Sequence, residues 1–547
     1  MAATSKLVLV VLFLVSLNST QQLSLPTDPT YNAGVVEFVP FRNISKSTMN
    51  SLRRMKEIIE SEEAKDLDIL VFPEYVLNIL GPHTFVPDPR QLIAPCDTPD
   101  YDSFLAELSC SARSRGIYVV LNLLEKEECD PRFSSQCSTE VSKMYNTNVV
   151  LDRRGVVVAR YRKTHLYRNE WTHTSVPEKP EHVTFKTDFG VTFGTFICFD
   201  MLFYDPAMVL IELNVTDIIY PTYWFSELPF LTALQLQEGW AYANNVNLLA
   251  AGASLPSGQN TGSGIYAGKL GRLTAVIFEE PTIRLLKARI PKRTQYPVFQ
   301  YQLPPAMQPM FEPQLETPRF TKLSLLRDYN VDIFASKLVA EDFTAVAETV
   351  CHGRFCCRFD VRRTLISNST KHAAYRFRLV AYSGNKVTFQ RVDPSDLSIC
   401  ALIACTTSEL WSCGHIFPAG QLVGNKYYFT TLNISGKFRH ADRRLIMPST
   451  VDAVMMPLSV STYEMKQTEG KTTTDVEIAL TWPKLDILTF GIWANYYSQQ
   501  KAGHNINAPL RLPQDDHHIA PGSSAPIWFS SSSAAALMLA AVISFLC

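Results

Sequence analysis

From Tyr31 to Tyr301 the chain alternates apolar runs of strand length with stretches of helical period, and this pattern predicts a layered α/β domain. Residues 67–72 (Leu-Asp-Ile-Leu-Val-Phe) predict a buried strand rich in β-branched and large apolar side chains, ended by Pro73 because proline cannot donate to a ladder. Before it, residues 47–64 put Met49, Leu52, Met55, Ile58 and Ile59 on one helical face. A second helix is expected over 101–115, stopped by Gly116, with a strand over 117–124. Strands over 145–151 and 156–161 flank the hairpin turn Asp152-Arg-Arg-Gly155. An apolar strand over 191–200, a helix around 205–213, a strand over 217–220 and a helix over 231–244 continue the repeat.

Near Pro304 the texture changes to a Pro-rich linker, 304–319, which supports neither helix nor central strand. Beyond it, alternating Thr, Tyr, Val and Phe runs such as 373–380 and 425–432 predict a second, mostly β domain. A length of 547 residues fits two or more domains. Lys and Arg number 51 against 52 Asp and Glu, a net charge of −1 that argues against a polyanionic partner, because phosphate-backbone binding needs an excess of clustered Lys and Arg, so nucleic acid is not expected.

Both ends are expected to carry targeting signals. Lys6, the apolar run from Leu7 to Leu17 and small polar residues after it predict a signal peptide over 1–20, its hydrophobic stretch too short to span a bilayer. At the other end, Gly522, Ser523 and Ser524, a spacer, and an apolar stretch over 534–547 follow the order of a GPI-transfer signal within 513–547, with attachment expected at Ser523. The alternative, a tail anchor, lacks the cations that normally follow a stop-transfer span. The divisions expected are therefore 1–20, a catalytic domain over 21–303, the linker, a β domain over 320–512, and the C-terminal signal.

Export implies an oxidising compartment, where thiols pair. Of 12 cysteines, Cys547 leaves with the C-terminal signal, and the odd number remaining predicts one free thiol. Cys198 is the candidate, because it lies in the apolar run while the others sit in polar or clustered stretches, for example Cys129 and Cys137 around a loop. The six cysteines after the linker predict about three bridges of undetermined pairing. A zinc site drawn from Cys351, Cys356, Cys357, Cys400, Cys405 and Cys413, with His352 and His415 close by, is the weaker reading of that cluster in an exported chain, and no metal is expected. Sequons at Asn43, Asn214, Asn368 and Asn433 agree with secretion.

Three strand ends carry residues of catalytic type: Glu74 in Phe-Pro-Glu-Tyr, Lys163 in Arg-Tyr-Arg-Lys-Thr-His, and Cys198 in Phe-Ile-Cys-Phe-Asp. Strand ends converge on a crevice in α/β folds. A carboxylate there can take a thiol proton, and an ammonium can stabilise thiolate and oxyanion. Taken singly, each has an ordinary reading: a helix-start charge, a solvated cation, an inert buried thiol.

Together, in this order and setting, they resemble the nitrilase superfamily of carbon-nitrogen hydrolases, whose fold is an α-β-β-α sandwich. The strings Cys198-Phe-Asp200 with Tyr204-Asp-Pro206, Tyr220-Pro-Thr-Tyr-Trp224 and Thr261-Gly-Ser-Gly-Ile-Tyr266 resemble its vanin and biotinidase branch, and so do Cys356-Cys357 and the stretch from Cys400 to Cys413. The resemblance implies Cys198 as nucleophile, Glu74 as general base, and Lys163 with the backbone N–H of Phe199 as the oxyanion site. It implies Glu170 as the second carboxylate, with Glu178 and Glu181 close by as alternatives. Tyr220, Tyr223 and Trp224 would wall the acyl pocket, although Tyr223 stands where the branch usually has a small residue.

The branch hydrolyses linear secondary amides, pantetheine to pantothenate and cysteamine or biocytin to biotin and lysine, without a cofactor. The expected protein is thus an amidohydrolase held at the outer cell surface by a GPI anchor, or shed from it, with a small-molecule amide as partner. The alternatives are biotinidase-type specificity and a catalytically silent surface scaffold, the complete triad speaking against silence. A Cys198–His165 dyad of protease type is also considered, and is disfavoured because Cys198 is expected on a strand rather than at a helix start.

Overall fold

The computed structural model describes residues 23–497 except 42–45, 80, 129–141, 294–322, 342, 366–372, 387–394, 419–420, 422, 424–426 and 486. The expected leader, the Pro-rich linker, Asn43, Asn368, Cys129, Cys137 and the C-terminal signal with Ser523 lie outside the described residues.

The strands of the first half are β1 (Thr30–Glu37), β2 (Ile69–Val71), β3 (Tyr118–Glu128), β4 (Ser142–Leu151), β5 (Val157–Arg162), β6 (Thr184–Lys186), β7 (Thr192–Thr195), β8 (Asp217–Thr222), β9 (Glu227–Leu228), β10 (Asn247–Gly252), β11 (Ser263–Ala267), β12 (Arg272–Val276) and β13 (Arg284–Pro291). Among the described residues four α-helices intervene: α1 (Ser47–Ile59), α2 (Ser103–Arg115), α3 (Val209–Glu212) and α4 (Ala233–Asn244).

Two six-stranded sheets form, ordered β13-β1-β2-β3-β4-β5 and β12-β11-β10-β8-β7-β6. Side-chain alternation explains why they stack. Tyr31, Ala33, Val35, Ile69 and Val71 of the first sheet meet Phe193, Ile219, Leu249 and Ala251 of the second in one buried cluster. The alternate residues, Val36, Leu70 and Phe72, turn outward onto Leu52, Met55 and Ile59 of α1 and Leu105 and Leu108 of α2. On the other side Ile218, Leu248 and Ala250 face Leu236 and Trp240 of α4. The result is the α-β-β-α sandwich that the sequence pattern and resemblance led us to expect.

Several boundaries shift for local reasons. The first helix stops at Ile59, and Ser61 caps a separate 3-10 turn over Glu62–Ala64 by accepting the Ala64 N–H at 3.3 Å. Gly116 ends α2 at φ 62°, in the left-handed region that glycine enters without steric cost. The helix expected around 205–213 is broken near its start by extended geometry at Asp205, so α3 begins only at Val209. The strand expected over 191–200 ends at Thr195, and Cys198 begins a short 3-10 turn, Cys198–Leu202.

The second half is a β-sandwich. Its strands are β14 (Leu326–Arg327), β15 (Ala335–Leu338), β16 (Ala345–His352), β17 (Phe355–Leu365), β18 (Arg376–Lys386), β19 (Ser395–Cys405), β20 (Tyr427–Arg439), β21 (Arg444–Asp452), β22 (Tyr463–Glu469), β23 (Thr473–Leu480) and β24 (Ile487–Tyr496). They make two five-stranded sheets, β15-β18-β19-β24-β21 and β16-β17-β20-β23-β22, while β14 pairs with β9 of the first half. The six cysteines pair as Cys351–Cys356, Cys357–Cys400 and Cys405–Cys413. Cys357 on β17 and Cys400 on β19 belong to different sheets, so their bridge ties the sandwich through its core. A fourth bridge, Cys96–Cys110, pins α2, and Cys198 is the free cysteine among the described residues.

The halves share one core. Ile399, Ile403, Met447 and Trp493 pack in the same cluster as Trp240 of α4 and the segment after Cys198. Gly239 of α4 lies so near β21 that a Cβ there would stand 2.6 Å from the Pro448 carbonyl oxygen. No helix among the described residues is long and apolar enough to cross a membrane.

Candidate active site

β2 and β5 run in the same direction, and each ends by delivering a charged side chain to one end of the sandwich. After β2, Pro73 breaks the ladder and Glu74 follows, with 1% of its surface exposed. After β5 comes Lys163, also 1% exposed, and such burial of a charge is tolerated only where partners surround it. They do. Lys163 Nζ donates to Glu74 Oε1 at 2.7 Å and to Glu170 at 3.0 and 2.8 Å.

Glu170 is placed by its own turn, Arg168–Thr172, where its carboxylate reaches back to accept the Tyr167 backbone N–H at 2.6 Å. Of the other carboxylates considered, Glu181 accepts the Arg162 backbone N–H at 3.3 Å, and Glu178 is exposed. Glu74 is fully engaged: Oε1 also accepts from Asn146 Nδ2 at 2.7 Å, and Oε2 accepts the backbone N–H of Tyr223 at 2.8 Å.

Cys198 sits from the second sheet on an elbow at φ 47°, a strained conformation for a residue with a Cβ. Asp200 imposes it. Its carboxylate accepts the Ile197 N–H at 3.0 Å and the Tyr161 hydroxyl at 2.7 Å, and it binds His165 through both backbone N–H and ring. His165 is therefore committed to Asp200, and its ring stacks on Phe203 at 3.6 Å between centroids. Cys198 stands at the start of a helical turn rather than on a strand, and what removes His165 from a dyad with it is the bond to Asp200.

Tyr220 donates its hydroxyl to the Cys198 carbonyl at 2.8 Å. Phe199, as the second residue of the turn, has an N–H that no intrahelical carbonyl can reach. Tyr223 is half-buried with its ring 5.8 Å from Phe225, while Trp224 turns into the core and donates Nε1 to the Leu231 carbonyl at 2.9 Å.

The electrostatics follow from dryness. Burial pushes the Cys198 thiol well above its ordinary range, and the Glu74 charge pushes further, against the pull of Lys163 and a Thr222 hydrogen bond. Burial also raises Glu74, opposed by Lys163. For Lys163 burial acts downward, but Glu170 and Glu74 outweigh it and hold the ammonium charged. A neutral thiol, a carboxylate raised toward proton affinity and a fixed ammonium are the parts that acyl transfer through sulfur requires.

One group escaped sequence reasoning. Asn122 of β3 donates Nδ2 to Asn146 Oδ1 at 2.7 Å and to Asn148 Oδ1 at 3.1 Å, both on β4. Asn146 passes on to Glu74 and, at 3.2 Å, to Glu170, and Asn148 donates to Thr195 of β7 at 2.9 Å. The chain of amides links both sheets to the two carboxylates. Its sequence signal is a set of asparagines inside apolar strands, Asn146 and Asn148 two apart and hence on one face. Among the described residues, no group of His, Cys, Asp and Glu is arranged to hold a metal ion.

Residues 43–252 match the family model for carbon-nitrogen hydrolase, and residues 323–500 that for the vanin C-terminal domain. The chain is 40% identical over 499 residues to Vanin-like protein 1 of Drosophila melanogaster, covering 88% of each. It is 32% identical over 408 residues to the pantetheinase of Canis lupus familiaris, covering 70% of this chain and 75% of that one. Among solved structures, an amidase from Nesterenkonia sp. aligns at 19% identity and a TM-score of 0.36, covering 50% of this chain and 98% of that one. The chain belongs to the vanin-like family of carbon-nitrogen hydrolases, and it is an enzyme that hydrolyses amides.

Proposed function

We propose that the protein hydrolyses a linear secondary amide by covalent catalysis at Cys198, and that its substrate is pantetheine, cleaved to pantothenate and cysteamine. The observation that carries this reading is the Lys163 ammonium held between Glu74 and Glu170, 2.7 and 2.8 Å away, in the field of a buried unpaired thiol. Glu74 takes the thiol proton as sulfur attacks the carbonyl carbon. The oxyanion is stabilised by Lys163 and the Phe199 N–H. Glu74 returns the proton to the leaving amine as the C–N bond breaks, leaving a thioester. Water then gives its proton to Glu74, the hydroxide adds to the thioester, and sulfur leaves and recovers the proton. The pantetheinase named among the relatives supports the choice of substrate.

Secretion is part of the same reading, supported by four disulfides among the described residues, which form in oxidising compartments, and GPI attachment at Ser523 is proposed from the order of small residues, spacer and apolar stretch in the sequence. Asn214, exposed in a turn at φ 59°, suits glycan attachment, whereas the Asn433 amide lies in β20 and donates to Glu477 at 2.8 Å. The test of substrate is release of cysteamine from pantetheine against release of lysine from biocytin by the purified protein. Turnover of pantetheine is expected, and turnover of biocytin alone overturns the assignment. For the anchor, phosphatidylinositol-specific phospholipase C is expected to free the protein from cells, and retention counts against it.

A further inference from the structure

The asparagine chain reaches the two carboxylates that hold Lys163 at a single atom. Asn146 Nδ2 lies 2.7 Å from Glu74 Oε1 and 3.2 Å from Glu170 Oε1, and its two protons let it donate to both. Its orientation is fixed from behind. Asn122 donates to Asn146 Oδ1 at 2.7 Å, so the amide cannot flip without opposing two donors and turning an oxygen toward two carboxylates. Asn122 is itself held, because its Oδ1 accepts the Tyr75 backbone N–H at 2.9 Å. Tyr75 stands at φ 58°, so the same amide that orients Asn146 also steadies the strained residue beside Glu74.

We propose that Asn146 is a positioning residue that holds Glu74 and Glu170 together on the Lys163 ammonium and keeps Glu74 ready to receive the thiol proton. It rests on the reading of Glu74 as the base. Two carboxylates sharing one ammonium repel each other, and each is drawn to the cation; a neutral donor between them offsets the repulsion without adding a charge that would compete with Lys163. The groups facing Glu74 are Lys163 after β5, Glu170 on its turn, Cys198 on the elbow, Tyr75 beside it and Tyr220 on β8. Lys163 is the cation among these groups, and Asn146 adds a neutral donor to the ionised form. Donation to the ionised form favours it, so loss of Asn146 raises the proton affinity of Glu74.

The test uses the pH dependence of Cys198 alkylation by iodoacetamide in the full protein, which needs no assumption about the amide substrate. In the wild type the rate falls on the acid side as Glu74 takes up its proton. In Asn146→Leu that limb is expected to move to higher pH by about one unit. Asn146→Ser, smaller and still polar toward Asn122, is expected to move it in the same direction by less, and it decides the matter if the leucine variant does not fold. A lowered thermal midpoint with an unmoved limb in a folded variant would show a merely structural role and overturn the inference. Absence of an acid limb in the wild type would overturn the base assignment beneath it, and with it the role given to Asn146.

Discussion

Asp200 and His165 are joined twice, Asp200 Oδ1 accepting the His165 backbone N–H at 2.8 Å and meeting its Nδ1 at 2.9 Å. The contact clamps the Cys198 elbow of one sheet to the Lys163 segment of the other. Asp200→Ala is expected to lower kcat/KM about 100-fold, as a displacement near 1 Å does, with the loss mostly in kcat. Steady-state kinetics check this, and an unchanged kcat would refute the clamp.

Lys163→Met leaves Glu74 and Glu170 buried side by side without their cation. Breaking a buried pair of this kind costs about 3 to 5 kcal/mol, so the variant is expected to be inactive and markedly less stable. Denaturant unfolding measures the stability, and a midpoint equal to wild type would mean the ammonium does not hold the carboxylates.

Glu37, at the end of β1, is completely buried among the Thr261, Gly262 and Ser263 donors, and burial raises it to about 7 despite them. Its folded pKa thus lies above the ordinary 4.5, and the folded state binds the extra proton. Its contribution is fully present below about pH 4.5 and is lost as pH rises to about 7, with a slope of at most about 1.4 kcal/mol per pH unit. Thermal midpoints of wild type and Glu37→Gln should converge toward acid and diverge between about pH 4.5 and 7. Parallel lines would contradict the assignment.

The Cys357–Cys400 bridge closes 43 residues of sequence and joins the two sheets of the C-terminal sandwich. Replacing both cysteines by serine is expected to cost about 2 to 4 kcal/mol. Because that sandwich shares a core with the segment after Cys198, activity should decline at a lower temperature in the variant. Thermal inactivation read beside unfolding checks the coupling, and coincidence with wild type would rule it out.

Glu74 and Lys163 are legible in the sequence because each follows an apolar strand whose end is marked locally, by Pro73 in one case and by a charged run in the other. The sandwich is legible for the same reason, its strands and helices being written in hydrophobic period. The turn at Cys198 is not, since Phe196-Ile197-Cys198-Phe199 reads as continuous strand until Asp200 reaches back to the Ile197 N–H. Disulfide pairing is hidden until register places Cys351 opposite Cys356 and brings β17 against β19. The Asn122, Asn146 and Asn148 relay needs both sheets, and a neutral amide in a strand carries no charge to mark it.

Passage of an acyl group through Cys198, as proposed, would leave a thioester that can be trapped. Acid quench of the protein during pantetheine turnover, followed by peptide mass measurement, should find the pantothenoyl group on the Cys198 peptide, released by hydroxylamine. Folded Cys198→Ala should show neither adduct nor cysteamine. Cysteamine release that persists in that variant would rule out Cys198 as the nucleophile.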